Sequence, residues 1–252
     1  MTDCVIDIPD QNFAVNLPAR NDRATVLSVD ALALDVVRLT LEVKRPLQCL
    51  GGQHFELGFG SNLRRLYSVS RASTGTRFTF DIQVHPYGVA SNHIRNTIRA
   101  GDKVRIRGPL GDAYRRADTS KLLLVSSGTG LGPMLGLMAD CAATGMTNPI
   151  YVYAGFSFSE HVYGREELQA AASALKNLRK CEIVIASGAL RRGDRRGLLT
   201  DALKSDASSF RGWRTHIFGT PTAVESCTRL LLARDMSPRM LHKVAFTHSD
   251  RL

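Results

Sequence analysis

KLLLVSSGTGLGPM, residues 121–134, compresses a change of architecture into one short stretch. Leu122, Leu123, Leu124 and Val125 form an apolar run without alternation, as expected of a strand covered on both faces. Ser126 and Ser127 end it, and a glycine-rich turn runs directly into a helix. Pro133 is the expected first residue of that helix, which runs to about Thr144 and stops at Gly145. Amides left free at a helix start, together with the helix dipole, make an anion site. Gly128, Gly130 and Gly132 let backbone approach a ligand that a Cβ would keep away. Pro133 stands where the dinucleotide fingerprint G-x-G-x-x-G has its third glycine, and no Gly-Lys-Ser/Thr of a P-loop follows.

Downstream the same code repeats. IYVYAG (150–155) leads into REELQAAASALKNL (165–178). EIVIAS (182–187) precedes a loop and a short helix around LLTDALK. THIFG (215–219) leads into AVESCTRLLLARD, and KVAF (243–246) closes the pattern. Strand–helix alternation with unpatterned strands predicts a parallel sheet with helices on both faces. Upstream the pattern is different. Val37, Leu39, Leu41 and Val43 alternate with Arg38, Thr40 and Glu42, while Phe78, Phe80, Ile82 and Val84 alternate with Arg77, Thr79, Asp81 and Gln83. KVRIR (103–107) is a shorter alternator. Short alternating strands between Gly, Pro and Ser turns predict an antiparallel barrel or sandwich, of which the barrel is the expectation carried forward. The expected organisation is an N-terminal extension (1–19), a β-barrel domain (20–117) and an α/β parallel-sheet domain (118–252).

With 252 residues, 44% hydrophobic and 22% charged, the chain has the composition of a globular protein with substantial cores. No apolar run approaches the ~18 residues of a membrane span. The start, MTDCVIDIPD, lacks the basic and apolar regions of a secretory signal. Five scattered cysteines, with no iron–sulfur loop spacing and no local metal set, point to a reducing cytoplasm. The net charge of +10 asks for an anionic ligand or an acidic partner. Apart from RRGDRRG (191–197) the cations are dispersed, and no nucleic-acid-binding motif is present.

Two further turns resemble ligand cradles. FGTPTAV (218–224) is a second glycine–proline turn at a strand end, and ligands of parallel sheets collect on that edge. In YGVASNHI (87–94), Ser91 is a candidate cap for a short helix with Ile94 and Ile98 facing inward. RRLYSVS (64–70) puts guanidiniums, an aromatic ring and hydroxyls together. A half-buried strand has that composition, and so does a surface for a flat anionic ligand.

Taken in order, these motifs resemble the ferredoxin–NADP reductase superfamily, and within it the reductase components of bacterial aromatic-ring-hydroxylating dioxygenases of the naphthalene type. The resemblance spans residues 20–248. It rests on Arg65-Leu66-Tyr67-Ser68, the Gly88–Ser91 turn, RGPLG (107–111), GTGLGP (128–133), VYGREEL (162–168), RGLLTD (196–201), FGTP (218–221) and Ala245-Phe246. It implies a flavoprotein that takes a hydride from NADH or NADPH onto FAD and passes electrons to an acidic [2Fe–2S] ferredoxin. By the same resemblance, Tyr67 packs on the flavin ring system beside Leu66, Arg65 binds the pyrophosphate and Ser68 offers a hydroxyl near flavin N5. The amides of Gly88, Val89, Ala90 and Ser91 help to hold the pyrophosphate. Gly128, Thr129, Gly130, Gly132 and Pro133 receive the nicotinamide dinucleotide, which Gly219, Thr220 and Pro221 guide toward the flavin beside Phe246. Arg191 and Arg192 are either partners for a 2′-phosphate or part of a solvated basic loop, and Tyr114 is expected as a packed loop residue, with contact to an adenine as the alternative. A monomer is expected. Neighbouring readings are a free-flavin reductase and a non-catalytic flavin-binding electron-transfer subunit.

There are two departures. Relatives often carry a fused [2Fe–2S] domain with four cysteines before the barrel, and DCVIDIPDQN (3–12) resembles the tail of one, as expected of a truncated form, a late start or a reductase relying on a separate ferredoxin; the expected partner is an acidic [2Fe–2S] ferredoxin or the missing ferredoxin domain. The second is Phe218, where relatives typically have cysteine; its bulk is expected to disturb the nicotinamide site and slow hydride transfer, the alternative being that it turns into the sheet as plain core, where cysteine would leave a cavity.

Overall fold

A computed structural model describes residues 17–60, 62–71 and 75–247. The expected N-terminal extension therefore lies, up to residue 16, outside the described residues. Six strands build the first sheet: β1 (Arg20–Ala33), β2 (Val36–Leu47), β3 (His54–Phe59), β4 (Leu63–Ser68), β5 (Gly75–Gln83) and β6 (Lys103–Leu110). Their order is β4-β3-β6-β1-β2-β5, and every pair is antiparallel. The two edges meet just beyond β4, where the Ser70 amide donates to Thr79 O at 2.8 Å and Ser70 Oγ accepts from the Asp81 amide at 2.7 Å. Inward-pointing Leu39, Leu41, Phe55, Phe78, Phe80 and Ile106 fill the barrel. The period-two pattern predicts this face because successive side chains leave a strand on opposite sides. The helix α1 (Val89–Asn96) packs its Ile94 against this core.

The second sheet is parallel throughout, in the order β10-β9-β8-β7-β11-β12. Its strands are β7 (Lys121–Ser127), β8 (Ile150–Phe158), β9 (Leu178–Ser187), β10 (Asp194–Arg196), β11 (Trp213–Gly219) and β12 (Leu241–Ala245). The helices α2 (Leu131–Ala143) and α3 (Arg165–Ser173) cover one face, and α4 (Leu199–Asp206) and α5 (Pro221–Leu232) the other. The unpatterned run in β7 has a direct cause. Leu122 and Leu124 enter the core under α2, while Leu123 and Val125 enter the core under α4 and α5. Between β9 and α4, the basic loop contains the short strand β10, which the sequence pattern does not announce. Its Arg195 is held by Glu182 and Asp206 in an ion network, so this guanidinium is not the free surface cation that the basic run suggests.

α2 begins two residues before the expected Pro133. A 3₁₀ turn over Gly128–Gly130 feeds directly into Leu131, and Pro133 sits within the first turn, where its missing N–H costs nothing. Nor does Ser91 cap α1. Gly88 occupies that position, and the Ser91 hydroxyl reaches back, accepting from the His85 amide at 3.2 Å and donating to Gly88 O at 3.2 Å.

The two sheets are tightly joined. A Cβ on Gly51 would lie 2.3 Å from the carbonyl carbon of Gly136, so the loop before β3 presses directly on α2. The Gly51 amide donates to Asp140 Oδ2 of α2 at 2.7 Å. Arg38 reaches from β2 to Asp81 Oδ1 at 2.7 Å and Glu167 Oε1 at 2.6 Å, the latter on α3. Asp81, on the polar face of β5, is buried at 8% exposure, paired with Arg38 and donating its amide to Ser70 Oγ, whereas Arg77 farther along the same face is exposed.

Candidate functional site

The site forms where the carboxyl edge of the parallel sheet meets the barrel. At the end of β7, Ser126 is fully buried and Ser127 lies at the edge; the chain then turns through Gly128 (φ +54°) into Thr129 and Gly130. Among the described residues only Gln83 Oε1, at 3.8 Å, comes near the missing Cβ of Gly128, so the turn leaves open space on that side. Gly130 is obligatory for another reason: a Cβ there would stand 2.3 Å from Phe218 O. The turns after β7 and β11 are thus pressed backbone to backbone. Gly219 (φ +140°) completes the junction, since a Cβ would strike Ser127 Oγ at 2.1 Å. The same hydroxyl accepts from the Thr220 amide at 2.9 Å. Thr220 Oγ1 caps α5 by accepting from the Ala223 amide at 3.4 Å, and Pro221 is the first residue of that helix.

The barrel supplies the opposite wall. Gly132 leans on it, with its absent Cβ 2.8 Å from Ser70 Oγ. Ser70 lies two residues beyond Ser68, the end of β4, which pairs with His54 of β3. Tyr67, half-buried, packs its ring against the barrel core, while Leu66 is 58% exposed on the other side of the strand. The Arg65 guanidinium donates to Arg64 O at 2.7 Å. α1 rises beside this edge, His93 packing edge-on against Phe59 of β3 at 5.9 Å. No side chain caps the α1 start at Gly88, and the Asn92 amide group is occupied with the carbonyls of His85 and Gly88 at 2.7 and 2.9 Å. Val89 and Ala90 therefore open a helix whose first amides have no side-chain acceptor, which suits a phosphate group.

Phe246 follows β12, and its amide donates to Gly219 O at 2.8 Å. The structure thus brings Gly128–Pro133, Gly219–Pro221, Phe246 and the Ser68–Ser70 segment together. Of the two expected placements of Phe218, it takes the one within the core. The ring is 1% exposed within the core shared by β11, α2 and the 111–114 loop, with its Cζ 3.3 Å from the position a Gly52 Cβ would take. It lies nearly parallel to His216 at 6.4 Å. The bulk of Phe218 is directed into packing and away from the cleft, because alternate residues of β11 share one face and His216 lies on it. His216 is fully buried and donates from Nδ1 to Ala113 O at 3.0 Å; burial keeps it neutral, well below the usual histidine range. Tyr114 is buried, as expected, with the Arg116 guanidinium 3.9 Å over its ring. Arg191 and Arg192 lie on the exposed loop after β9, on the same strand-end edge as the glycine turns.

Three contributors escaped the sequence reading. Ser127 is the clip between the two glycine turns, and the only signal is its place before a turn glycine. Ser70 and Gln83 face the dinucleotide turn from the barrel. Their polarity sits on positions that alternation assigns to solvent.

Two family models match: an oxidoreductase FAD-binding domain over residues 23–114 and an oxidoreductase NAD-binding domain over residues 124–226. The ferredoxin–NAD(P)+ reductase component of the naphthalene 1,2-dioxygenase/salicylate 5-hydroxylase systems of Ralstonia sp. is 36% identical, over 97% of this chain and 74% of that protein. The chain belongs to the ferredoxin–NAD(P)+ reductase family. The corresponding Pseudomonas putida component of the naphthalene 1,2-dioxygenase system is 32% identical, over 96% of this chain and 74% of the relative. The crystal structure of an Amycolatopsis cytochrome P450 reductase superposes with a TM-score of 0.84 at 31% identity, covering 91% of this chain and 71% of that one. The chain is a flavoprotein oxidoreductase, with FAD assigned to the barrel and the nicotinamide dinucleotide to the parallel sheet. The residues present fit both groups: a ring-bearing strand and an uncapped helix start on one side, glycine turns with room for a ligand backbone on the other.

Proposed function

We propose that the chain is an NAD(P)H:ferredoxin oxidoreductase serving an aromatic-ring dioxygenase system, with an acidic [2Fe–2S] protein as electron acceptor. The observation that carries this reading is the convergence of the two glycine turns of the parallel sheet on the Tyr67–Ser70 edge of the barrel. Bound FAD supplies the hydride-accepting and single-electron-donating chemistry. The chain's own residues orient and shield it. Tyr67 offers a ring face backed by the barrel core, Leu66 an exposed apolar side, and Arg65 with the Val89–Ser91 amides a positive cradle for pyrophosphate. Ser68 offers a hydroxyl at the strand end. Gly128–Gly130 let the dinucleotide approach the backbone, Gly219–Pro221 direct its nicotinamide end, and Phe246, tied to Gly219, covers the cleft.

The +10 charge supports an acidic acceptor, since complementary charge accelerates encounter. No helix among the described residues is long and apolar enough to cross a membrane. A cytoplasmic monomer is the proposed working form. The test is a purification followed through gel filtration. Retained yellow colour, NADH-dependent reduction of ferricyanide, and reduction of a [2Fe–2S] ferredoxin that slows steeply with salt are expected. Flavin lost in the column with turnover only on added flavin would make the chain a free-flavin reductase. A flat salt response toward ferredoxin would remove the electrostatic argument for the acceptor.

A further inference from the structure

The parallel sheet carries a second cavity on its other edge. About 370 Å³ opens among the starts of β8, β9 and β11 and the end of α4. All strands here run in one direction, so this edge is roughly 20 Å, the length of β7, from the glycine turns. Its walls are aromatic: Tyr151, Tyr153, Phe210 and Trp213 line it, with Leu203 and Ala207 of the α4 end. Tyr151 and Trp213 lie 4.6 Å apart, and Phe210 stands edge-on to Trp213 at 5.4 Å. A volume of this size with flat walls accommodates one or two rings.

The charge around it is lopsided. Asp206 lines the cavity, yet its carboxylate accepts from the Tyr153 hydroxyl at 2.7 Å, from Lys180 Nζ at 2.7 Å and from Arg195 at 2.9 Å. Lys180 and Arg195 also engage Glu182, at 3.2 and 3.0 Å, so this network of two cations and two carboxylates balances itself. Two positive charges are left over. Arg179 lines the cavity, is exposed, and has no hydrogen-bond or ion-pair partner among the described residues. Lys121 stands with Nζ 5.3 Å from the centroid of the Trp213 ring.

We infer that this cavity is a binding site for a small planar aromatic carboxylate, its ring lying against the wall that Trp213, Tyr151 and Phe210 form by packing on one another, and its carboxylate on the Arg179 guanidinium. The aromatic walls favour a ring through offset or edge contacts, and a guanidinium at the mouth selects the carboxylate over a neutral analogue. The site is separate from the flavin and nicotinamide cleft and does not depend on the function proposed above.

Trp213 is the chain's one tryptophan, so its emission reports on this cavity directly. The purified full chain with its flavin is titrated with benzoate, with benzyl alcohol and acetate as comparators, in the presence and absence of saturating NAD+. Expected is a saturable change in Trp213 emission with benzoate alone, unaffected by NAD+ and without a shift of the flavin absorption bands. Arg179→Gln, at an exposed position, and Ala207→Phe, which fills the cavity mouth, each weaken binding by roughly tenfold or more. No saturable change, equal binding of benzyl alcohol, displacement by NAD+, or undiminished affinity in Arg179→Gln would each overturn the proposal.

Discussion

Phe218 and Tyr67 show how differently two aromatic side chains near one cleft contribute. The Phe218 ring is sealed between β11 and the 111–114 loop, whereas only its backbone borders the dinucleotide turn at Gly130. Replacing it with cysteine removes most of a buried ring, and Phe218→Cys is expected to lower stability by about 2–4 kcal/mol. The rate of flavin bleaching by NADH should stay within roughly threefold, since no group at the cleft is displaced. Chemical denaturation and stopped-flow absorbance on the same preparations measure both. A large gain in bleaching rate would mean that the ring obstructs the nicotinamide after all. Tyr67, packed on the barrel core, is the proposed flavin contact. Tyr67→Leu keeps an apolar contact with the barrel but loses the ring face, and is expected to weaken flavin retention from a few-fold to about tenfold. Fluorescence of flavin released on dilution gives that number. Residue identity marks Tyr67 as a flavin candidate in the sequence, while a strand position does not disclose which face carries the site and so leaves Phe218 open between obstruction and core.

At the scale of elements, the glycine–proline turns were readable because their chemistry is local: an apolar strand end, glycines and a helix start. The clip between them was not. Ser127 and Thr220 meet only because β7 and β11 are neighbours in the sheet. Thr220→Ala removes the α5 cap and should cost about 1 kcal/mol, read from a urea titration; an unchanged midpoint would show the cap to be redundant. The β10 strand was hidden for a related reason. Asp194 and Arg195 make sense only once Arg165, Glu182 and Asp206 are known to stand opposite them. Arg191 and Arg192 remain outside that network of side chains. Replacing both with alanine is expected to lower the NADPH-to-NADH ratio of kcat/KM by on the order of tenfold, through lost charge-assisted contacts to a 2′-phosphate. Steady-state kinetics with both nucleotides decide, and an unmoved ratio removes the loop from nucleotide choice.

In the whole molecule, the joint between sheets carries a pH-sensitive contact. Burial pushes the Asp140 carboxyl up to about 6, against the pull of the Gly51 amide and Arg115. A carboxyl with a raised folded-state pKa contributes most when protonated, below its unfolded value near 4. That contribution is lost as pH rises through about 6, because the unfolded chain then ionises the group at lower cost. Asp140→Asn retains an acceptor for Gly51 without the charge. It is expected to be more stable than the parent by roughly 1–3 kcal/mol at pH 8 and indistinguishable near pH 4. Unfolding free energies across that range measure the difference, and a constant gap would mean that Asp140 does not titrate there. The succession of an antiparallel and a parallel sheet was legible from periodicity. This joint was not, since Gly51 and Asp140, like Arg38 and Glu167, acquire their meaning only from each other across the two halves of the molecule.

The central position of β7 also has a bearing on how the chain is made. Lys121 to Ser126 must lie against Trp213 to Phe218, so the strand that begins the second domain waits for one near its end. The antiparallel barrel, whose strands all precede residue 111, has its whole sequence available while the ribosome is still producing the rest. Until β11 emerges, β7 presents an unpaired edge with Leu123 and Val125 lacking the α5 cover that comes still later. A ribosome stalled shortly before residue 213 would therefore hold a finished barrel attached to an adhesive half-sheet, the species that a chaperone has most reason to meet.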